Sequence, residues 1–333
     1  MRNRIGMMLG TLMLAVTLLV GCGGGAASQP SGSASSSGAA MQAASAVKIT
    51  MLNVGQGDSI LIKTPNQTVL IDTGDVDERE KLTAELNKAG VKKIDKVILT
   101  HPHADHIGGM DVVLKDHEVG TVYDNGMPST SKLYIGYMKQ LKAKNIKHET
   151  LKAGDKLDFG GGVSFEVLYP TADLQKKGQD KGYKHDPNNE SIVGRLVYGD
   201  FSMLFTGDAE TPVEEAILKA NGKVKSTILK APHHGSSTSA SPEYLKAVWP
   251  EVVLISCGVN NDYGHPHAEV LARYKGEKTF TDRKTGKTKN TKLVKNDKGE
   301  TLAAKTYETD KDGTITVTTD GKKYEIQTGG TAK

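Results

Sequence analysis

Apolar residues after position 47 recur with two periods, one typical of strands and the other typical of helices. Alternating runs bounded by turn residues predict strands over 47–54, 58–63, 68–72, 96–100, 163–169, 191–198, 202–206, 226–230 and 252–257. Runs with apolar residues three and four apart predict helices over 77–89, 109–115, 131–144, 211–220, 242–248 and 267–275. Two sheets, each with helices on its outer side, fit this order, so the sequence predicts an α/β fold.

The last part of the chain has a different pattern. Alternating runs over 313–319 and 322–327 flank Asp320-Gly321, a dipeptide typical of hairpin turns. We therefore predict a main domain over 47–275, followed by a basic insertion and a β-rich C-terminal extension over 276–333.

Charge is concentrated at the start of this extension. Residues 275–298 include nine Lys or Arg and three acidic residues, whereas the whole chain has a net charge of +4. This basic segment is either a solvated hairpin insertion or a contact surface for a polyanion, such as DNA or lipid headgroups. The modest overall charge does not by itself indicate nucleic-acid binding.

The N-terminus predicts an export signal. Two arginines precede an apolar stretch over 5–20, which is shorter than the ~20 residues of a comfortable membrane span. The signal is predicted over 1–21, and its last residues resemble the bacterial lipobox, so Cys22 is expected to carry lipid and anchor the chain outside the cell membrane. An ordinary signal peptide with an incidental cysteine is the alternative. Residues 22–46 are rich in Gly, Ala and Ser and predict a flexible linker.

Cysteine usage agrees with this interpretation. Cys22 and Cys257 are the only cysteines in the sequence, so lipidation of Cys22 excludes a disulfide within the chain. Cys257 follows an apolar strand and is predicted to be a small buried residue rather than a catalytic thiol. The core and bound metals must then stabilise the domain.

The most informative motif is the histidine cluster after the strand over 96–100. His101 and His103 are two residues apart, so on an extended segment both imidazoles can reach one ion. Asp105 and His106 lie where the chain turns toward a helix, so they can face a second ion. Imidazole nitrogens and carboxylate oxygens are ligands that zinc and similar divalent metals favour.

Two later strands end in further ligands. Asp208 follows the strand over 202–206, where its carboxylate can bridge two cations that share one activated water. His233 and His234 follow the strand over 226–230. One of them is expected to complete the second metal site; we favour His234 and expect His233 to lie nearby or to face the substrate. The sequence therefore predicts two divalent cations, Zn or Mn.

The order of these residues resembles the metallo-β-lactamase superfamily, from about residue 47 to residue 271. Finer resemblance is to the hydrolase domain of the ComEC competence family, through the motifs LNVGQGDS at 52–59, NNES at 188–191, PHHGSSTS at 232–239, YGHPH at 263–267 and DGTITV at 312–317. The resemblance implies a four-layer αββα sandwich and a metal-dependent nuclease that acts on DNA during uptake.

This chain departs from that family in two ways, and both limit what the resemblance implies about its function. ComEC proteins carry many membrane spans, and none is predicted here after the signal, so we expect a stand-alone relative that does not itself transport DNA. The superfamily also places another histidine before the Gly-Asp pair, where this chain resembles ComEC in having Asn188-Asn189. Either His185 substitutes, or oxygen ligands and water complete the first metal, which fits manganese as well as zinc. His117 and His148 are expected to be structural.

The remaining site residues follow from this chemistry. A metal-activated water attacks phosphorus or a carbonyl carbon, and Asp105 both ligates and orients it. Asp72 is expected to hold a cluster histidine from behind, with Asp58 in the same region. His265 is a candidate for leaving-group protonation or phosphate contact. Side chains predicted to contact the substrate are Asn189, Ser191, Ser236, Ser237 and His267.

The function predicted from these residues is a surface-anchored, metal-dependent phosphodiesterase that acts on DNA. One alternative is hydrolysis of another ester or amide, such as a phosphocholine ester or a β-lactam. Another is a non-catalytic lipoprotein that binds DNA or a wall polymer. The full ligand set favours an enzyme, because binding alone does not need an activated water.

Overall fold

Two large β-sheets pack face to face, with helices on their outer sides. The computed structural model describes residues 46–330; the predicted signal over 1–21, Cys22 and the linker up to residue 45 lie outside the described residues. The strands are β1 Val47–Met51, β2 Ile60–Lys63, β3 Thr68–Ile71, β4 Lys93–Ile98, β5 Glu118–Asp124, β6 Lys147–Thr150, β7 Lys156–Asp158, β8 Ser164–Tyr169, β9 Val193–Tyr198, β10 Phe201–Phe205, β11 Ile228–Lys230, β12 Val252–Ile255, β13 Thr279–Thr281, β14 Thr288–Asn290, β15 Lys305–Glu308, β16 Ile315–Thr319 and β17 Tyr324–Thr328.

The α-helices of the same residues are α1 Arg79–Lys88, α2 Ala104–Ile107, α3 Met110–Asp116, α4 Lys132–Ala143, α5 Ala172–Gly178, α6 Thr211–Lys219, α7 Pro242–Val248, α8 Ala268–Lys275 and α9 Thr309–Asp312. Short 3-10 turns cover Val76–Glu78, Asn188–Glu190 and Pro232–Gly235. No helix within residues 46–330 has the length and apolar character needed to cross a membrane.

The first sheet has the order β17-β16-β1-β2-β3-β4-β5-β6, and the second has the order β15-β12-β11-β10-β9-β8-β7. One core cluster lies between them, because it contains buried side chains of both, such as Ile49 and Met203. A second cluster joins helices α6 to α8 to the second sheet, and a third joins α1, α3 and α4 to the first. The predicted αββα sandwich is therefore the fold of this chain.

Four strands deliver the candidate site at one edge of the sandwich. Strands β3 and β4 are parallel neighbours in the first sheet, and β10 and β11 are parallel neighbours in the second. Parallel neighbours end at the same edge of a sheet, so the segments after them meet there. Asp72, His101, Asp208 and His233 come shortly after the ends of these four strands.

Each strand and helix predicted from the sequence is present, with most ends shortened by a few residues. The strands that periodicity did not indicate include β6, β7 and β15, which lie at sheet edges. Edge strands are short and polar, since they avoid pairing with other chains, and so they lack an apolar alternation. The interior strand β5 and the helix α5 were also not predicted.

The C-terminal region takes part in both sheets. Strand β16 pairs with β1 along five residues, and β15 pairs with β12. The division between 47–275 and 276–333 stays a prediction, but these strands are structural parts of the sandwich. The hairpin predicted across Asp320-Gly321 is confirmed by the pairing of β16 with β17. Cys257 is buried, as predicted.

Candidate metal centre

The carboxylate of Asp208 lies at the centre of a group of histidines. Four imidazole nitrogens lie within 4.0 Å of its Oδ2 atom: Nε2 of His106 at 3.3 Å, of His234 at 3.4 Å, of His233 at 3.8 Å and of His101 at 4.0 Å. One group of ligand atoms that lie within 4.8 Å of one another belongs to Asp105, His106, Asp208 and His234. This is a donor set that divalent zinc or manganese can take.

A glycine brings Asp208 close to the histidine loop. Gly207 has a φ of 49°, and a Cβ atom there would lie 3.0 Å from Cβ of Thr100 and 3.1 Å from Cβ of Ser191. Because glycine has no side chain and tolerates this conformation, the end of β10 can approach the end of β4.

His106 is held from behind by Asp72. Its Nδ1 donates to Oδ2 of Asp72 at 2.8 Å, and Asp72 also accepts hydrogen bonds from Thr100. Asp72 has a φ of 58°, a left-handed conformation that costs a non-glycine residue ~1–3 kcal/mol. Nε2 of His106 is left without a hydrogen-bond partner and faces Asp208. This is the position that a metal-ligating imidazole takes when a carboxylate fixes its other nitrogen.

His234 is held in a similar way by a backbone carbonyl. Its Nδ1 donates to the oxygen of Ser256 at 3.0 Å, and its Nε2 lies 3.3 Å from Oδ2 of Asp105. The side chain of His233 is 20% exposed, and its Nδ1 lies 3.1 Å from Oε1 of Glu210. His234 is therefore the more buried of the two, with its Nε2 next to two carboxylates, and the choice of His234 as the ligand stays a prediction.

His101 and His103 lie on the other side of Asp208. Nε2 of His101 is 3.1 Å from Nδ1 of His103, so both nitrogens can approach one cation. Burial and the neighbouring His106 hold the pKa of His101 well below its usual value, which keeps the imidazole neutral. His185 does not join them, because its Nδ1 lies 3.0 Å from Oε1 of Glu190. Among residues 46–330, no group of three or more ligand atoms within 4.8 Å of one another includes His101 or His103.

The centre fits a divalent cation. Buried atoms without a hydrogen-bond partner include Nε2 of His106 and His234 and Oδ1 of Asp58 and Asp208. Burial opposes a charge on His234, but Asp208 and Asp58 raise its pKa to about 10. Burial also opposes the charge of Asp208, yet His234 and His106 hold its pKa well below the usual range. Carboxylates that retain protons on imidazoles would equally retain a cation, whose binding releases those protons.

A lysine that no sequence pattern singled out lies beneath the centre. The buried Nζ of Lys230 pairs with Oδ2 of Asp58, donates to the carbonyl of Gly207 at 3.0 Å and lies 3.9 Å from Oδ1 of Asp208. Burial opposes its charge, but Asp58 and Asp208 raise its pKa. Lys230 therefore adds a fixed positive charge to a group of carboxylates. The only signal for it is a lysine at the end of the apolar strand β11.

An open cavity of about 750 Å³ lies above the centre. Its walls are polar apart from Ala104 and the aromatic ring of Tyr263, and its residues include Asp105, Asn188 and His265. Such a lining suits a charged or polar substrate more than an apolar one.

His265 lines this cavity, and its buried Nδ1 has no hydrogen-bond partner. Its ring centroid lies 5.4 Å from that of His233 and 6.2 Å from that of His234. Burial, together with these two histidines, lowers its pKa to about 3. An imidazole that is neutral at pH 7 suits a hydrogen bond to a phosphoryl oxygen better than protonation of a leaving group.

Several residues predicted to contact the substrate have other positions. Ser191 is fully buried, and its hydroxyl lies 3.3 Å from Nδ1 of His101, so it orients a histidine instead. The hydroxyl of the buried Ser236 lies 3.0 Å from Oγ1 of Thr238. His267 accepts the backbone N–H of Ser237 at 2.8 Å, which stabilises the loop. These corrections arise because hydroxyl and imidazole groups in a loop also satisfy its own backbone.

Asn189 is corrected in the same way. Its side chain donates to Asp186 at 2.8 Å, whereas the neighbouring Asn188 lines the cavity and lies 3.4 Å from Nε2 of His233. The two residues share a 3-10 turn, in which successive side chains point in directions about 120° apart. The motif alone could not tell which asparagine faces the cavity.

Two other histidines expected to be structural do not line the cavity. His117 ends helix α3, and His148 belongs to the edge strand β6. Nε2 of His148 lies 2.8 Å from Oδ2 of Asp124, which resembles the pair of His106 with Asp72 but without neighbouring ligands.

The family model "Metallo-beta-lactamase superfamily" matches residues 52–259, more than half of the chain and including each candidate ligand. The chain belongs to the metallo-beta-lactamase superfamily. It is therefore a hydrolase with His and Asp groups able to hold divalent metals.

Individual relatives of this superfamily member are competence proteins. ComE operon protein 3 of Bacillus subtilis is 34% identical over 243 residues, which cover 67% of this chain and 30% of the relative. Competence protein ComA of Neisseria gonorrhoeae is 34% identical over 227 residues, which cover 68% of this chain and 29% of the relative. The matched part of the chain thus spans about 30% of the length of these two relatives. Among solved structures, the metallo-beta-lactamase fold protein YhfI from Bacillus subtilis is 15% identical, with a TM-score of 0.41, and the match covers 62% of this chain and 85% of that chain.

Proposed function

We propose that this hydrolase is a phosphodiesterase that cleaves nucleic acid, with DNA as its substrate. The observation that carries hydrolysis is the Asp208 carboxylate with imidazole nitrogens around one oxygen, open to a polar cavity. The name of the relative Competence protein ComA, which refers to competence, supports DNA as the substrate class.

Two divalent cations bound here would polarise a phosphoryl oxygen and make a water nucleophilic at neutral pH. His101, His103 and Asp208 would hold one cation. Asp105, His106 and His234, again with Asp208, would hold the other. The free oxygen of Asp105, whose side chain is 25% exposed, is accessible to a water in the cavity.

Residues on the cavity side would hold the substrate. His265 lines the cavity and, as a neutral imidazole, can donate one hydrogen bond to a phosphoryl oxygen. The Nδ1 of His233 lies 3.1 Å from the Glu210 carboxylate and holds the proton, so its Nε2 can accept a hydrogen bond at the cavity but not donate one. Asn188 supplies an amide next to His233. These groups orient a phosphate without the need for a general acid among them.

The proposal includes a position outside the cell membrane. The sequence over 1–22 supports export and lipidation of Cys22, and the linker over 22–46 would hold the hydrolase away from the lipid surface. Replacement of Cys22 by Ser should release the protein from the membrane fraction. Retention of this variant in the membrane pellet would indicate that an uncleaved signal is the anchor.

A substrate panel tests the activity. Metal-free protein supplemented with Mn or Zn should cleave single-stranded DNA and bis-p-nitrophenyl phosphate, but not nitrocefin or a phosphocholine ester. His106→Ala should abolish cleavage. His148→Ala is the matched control, since this histidine also contacts a buried aspartate at 2.8 Å but lies outside the cavity. Nitrocefin hydrolysis without phosphodiesterase activity under either metal would contradict the proposal.

A further inference from the structure

A small basic hairpin projects next to the cavity. Strands β13 and β14 pair with each other in a separate two-stranded sheet, and the turn between them contains Arg283, Lys284 and Lys287, all exposed. We call residues 279–290 the basic hairpin.

The tip of the basic hairpin contacts the loop that carries His265. Nη1 of Arg283 donates to the carbonyl of Gly264 at 3.3 Å, and Gly264 is bonded to His265, which lines the cavity. The charges of Lys284 and Arg283 also act on His267 in this loop, where burial and then these charges lower its pKa. The hairpin is therefore fixed at the edge of the candidate site.

The charges at its tip are not neutralised by the protein. Lys289 pairs with Asp282 at 2.6 Å, and Lys292 beyond the hairpin pairs with Glu243 at 2.9 Å. Within residues 46–330, no carboxylate lies within 4.0 Å of the side-chain nitrogens of Arg283, Lys284 or Lys287. Unpaired exposed cations at a site edge attract polyanions.

Another stretch of the cavity lining has the opposite charge. Asp75, Asp77 and Glu78, which follow β3 of the first sheet, line the cavity, and of these Glu78 pairs with Lys81 at 2.7 Å. A polyanion in the cavity is repelled from this acidic wall and attracted toward the basic hairpin, although the exposed Asp262 on the hairpin side weakens the attraction. This asymmetry of charge gives a bound polyanion one favourable direction in which to leave the cavity, toward the basic hairpin.

We propose that the basic hairpin binds the phosphate backbone of a single nucleic-acid strand whose scissile phosphate lies at the metal centre. This inference rests on the proposed phosphodiesterase function. In this proposal, Arg283 and Lys284 bind backbone phosphates next to the scissile phosphate. Such contacts fix the position of the strand but do not distinguish its bases.

Binding and its salt dependence test the proposal directly. We would measure fluorescence anisotropy of a labelled single-stranded DNA with a phosphorothioate backbone, mixed with the metal-loaded protein at increasing salt. For a single strand, removing one cation that binds a phosphate should reduce the slope of log affinity against log salt by about 0.7. The double variant Arg283→Gln/Lys284→Gln should therefore have a slope lower by about 1.4 and a several-fold weaker affinity at low salt.

The second hairpin of the chain provides a matched control. Lys322 and Lys323 lie in the turn between β16 and β17. This turn follows Thr319, which pairs with Val47 at the start of β1. That end of the strands of the first sheet lies opposite to the end that carries the site. Replacing both lysines with Gln removes the same charge, so Lys322→Gln/Lys323→Gln should keep the wild-type slope.

Wild-type affinity and slope in the Arg283→Gln/Lys284→Gln variant would overturn the proposal, as would equal reductions in the two double variants. Absence of DNA binding by the wild-type protein would overturn it as well. Hydrolysis of bis-p-nitrophenyl phosphate by the wild-type protein tests the proposed function separately, because so small a substrate has no backbone for the hairpin to bind.

Discussion

The two sides of the Asp208 carboxylate offer different numbers of ligand atoms. On one side, which we call the crowded side, the ligand atoms of Asp105, His106, His234 and Asp208 all lie within 4.8 Å of one another. On the other, the sparse side, His101 lies 4.0 Å from Asp208, and His103 contacts His101. Because affinity grows with the number of fixed ligands, one protein centre can hold two cations with unequal strength. We expect the crowded side to fill first and to empty last.

The groups that hydrogen-bond to the ligand imidazoles also differ between the two sides, and they too favour the crowded side. On the crowded side, Nδ1 of His106 donates to the carboxylate of Asp72, and Nδ1 of His234 donates to a carbonyl. On the sparse side, the hydrogen-bond partners of Nδ1 of His101 within the described part of the chain are hydroxyl groups, those of Thr100 and Ser191. A charged acceptor makes an imidazole a stronger ligand than a hydroxyl does. Ligand number and ligand strength therefore favour the same side.

The largest effect is expected from the residue that the two sides share. Asp208→Asn should lose metal from both sides and abolish hydrolysis, because the amide supplies neither the negative charge nor a second bridging oxygen. Elemental analysis after purification without chelator measures the metal content, and thermal unfolding checks that the fold is retained. Wild-type metal content in this variant would show that Asp208 is not a metal ligand, and the two sides would then not share a carboxylate.

A pair of histidine variants should separate the two sides. His106→Ala should lose the cation of the crowded side, whereas His101→Ala should retain that cation and lose the one on the sparse side. Metal content after dialysis, with His148→Ala as the control, distinguishes them. If His101→Ala loses both cations, the sites fill cooperatively and the sides are not independent.

Much of this centre could be predicted from the sequence, because its ligands lie in short motifs directly after apolar strands. Local chain geometry alone brings four of them together, because they lie within one short segment: His101, His103, Asp105 and His106. Asp208 was predicted in the same way, as a carboxylate directly after an apolar strand. The αββα sandwich, in which two sheets bring Asp208 and the histidines to one edge, was implied by the resemblance to the superfamily.

The parts that could not be predicted depend on contacts between distant segments. Lys230 is one polar position in an apolar strand, and only the approach of Asp58 shows why a lysine is buried there. Ser191 has the sequence context of a loop hydroxyl, and only its position beside His101 shows that it supports a ligand. The acidic wall at Asp75 and Asp77 has no motif, since its position depends on where the segment after β3 turns.

A smaller effect should follow from the support behind His106. Asp72→Asn keeps the shape of the side chain but removes the charge that fixes the imidazole, so the metal affinity of the crowded side should fall by about 10- to 100-fold. Competition with a chromogenic chelator measures the affinity of each side. Glu214→Gln, a change at a buried carboxylate that accepts backbone N–H groups elsewhere, is the control for general destabilisation. An equal fall on both sides would show that Asp72 acts through the whole centre.

The smallest effect is expected at Ser191, whose hydroxyl lies behind the sparse side. It is 3.3 Å from Nδ1 of His101 and also accepts the backbone N–H of Asp208 at 3.2 Å. Because one neutral hydrogen bond contributes about 0.5–1.5 kcal/mol, Ser191→Ala should weaken metal binding on the sparse side by roughly tenfold or less. Ser191→Thr, which keeps a hydroxyl, should restore part of the affinity, and the same chelator competition measures both variants. If the crowded side weakens as much as the sparse side, Ser191 acts by positioning Asp208 rather than His101. The unequal supports would then not explain unequal affinities, which would depend on ligand number alone.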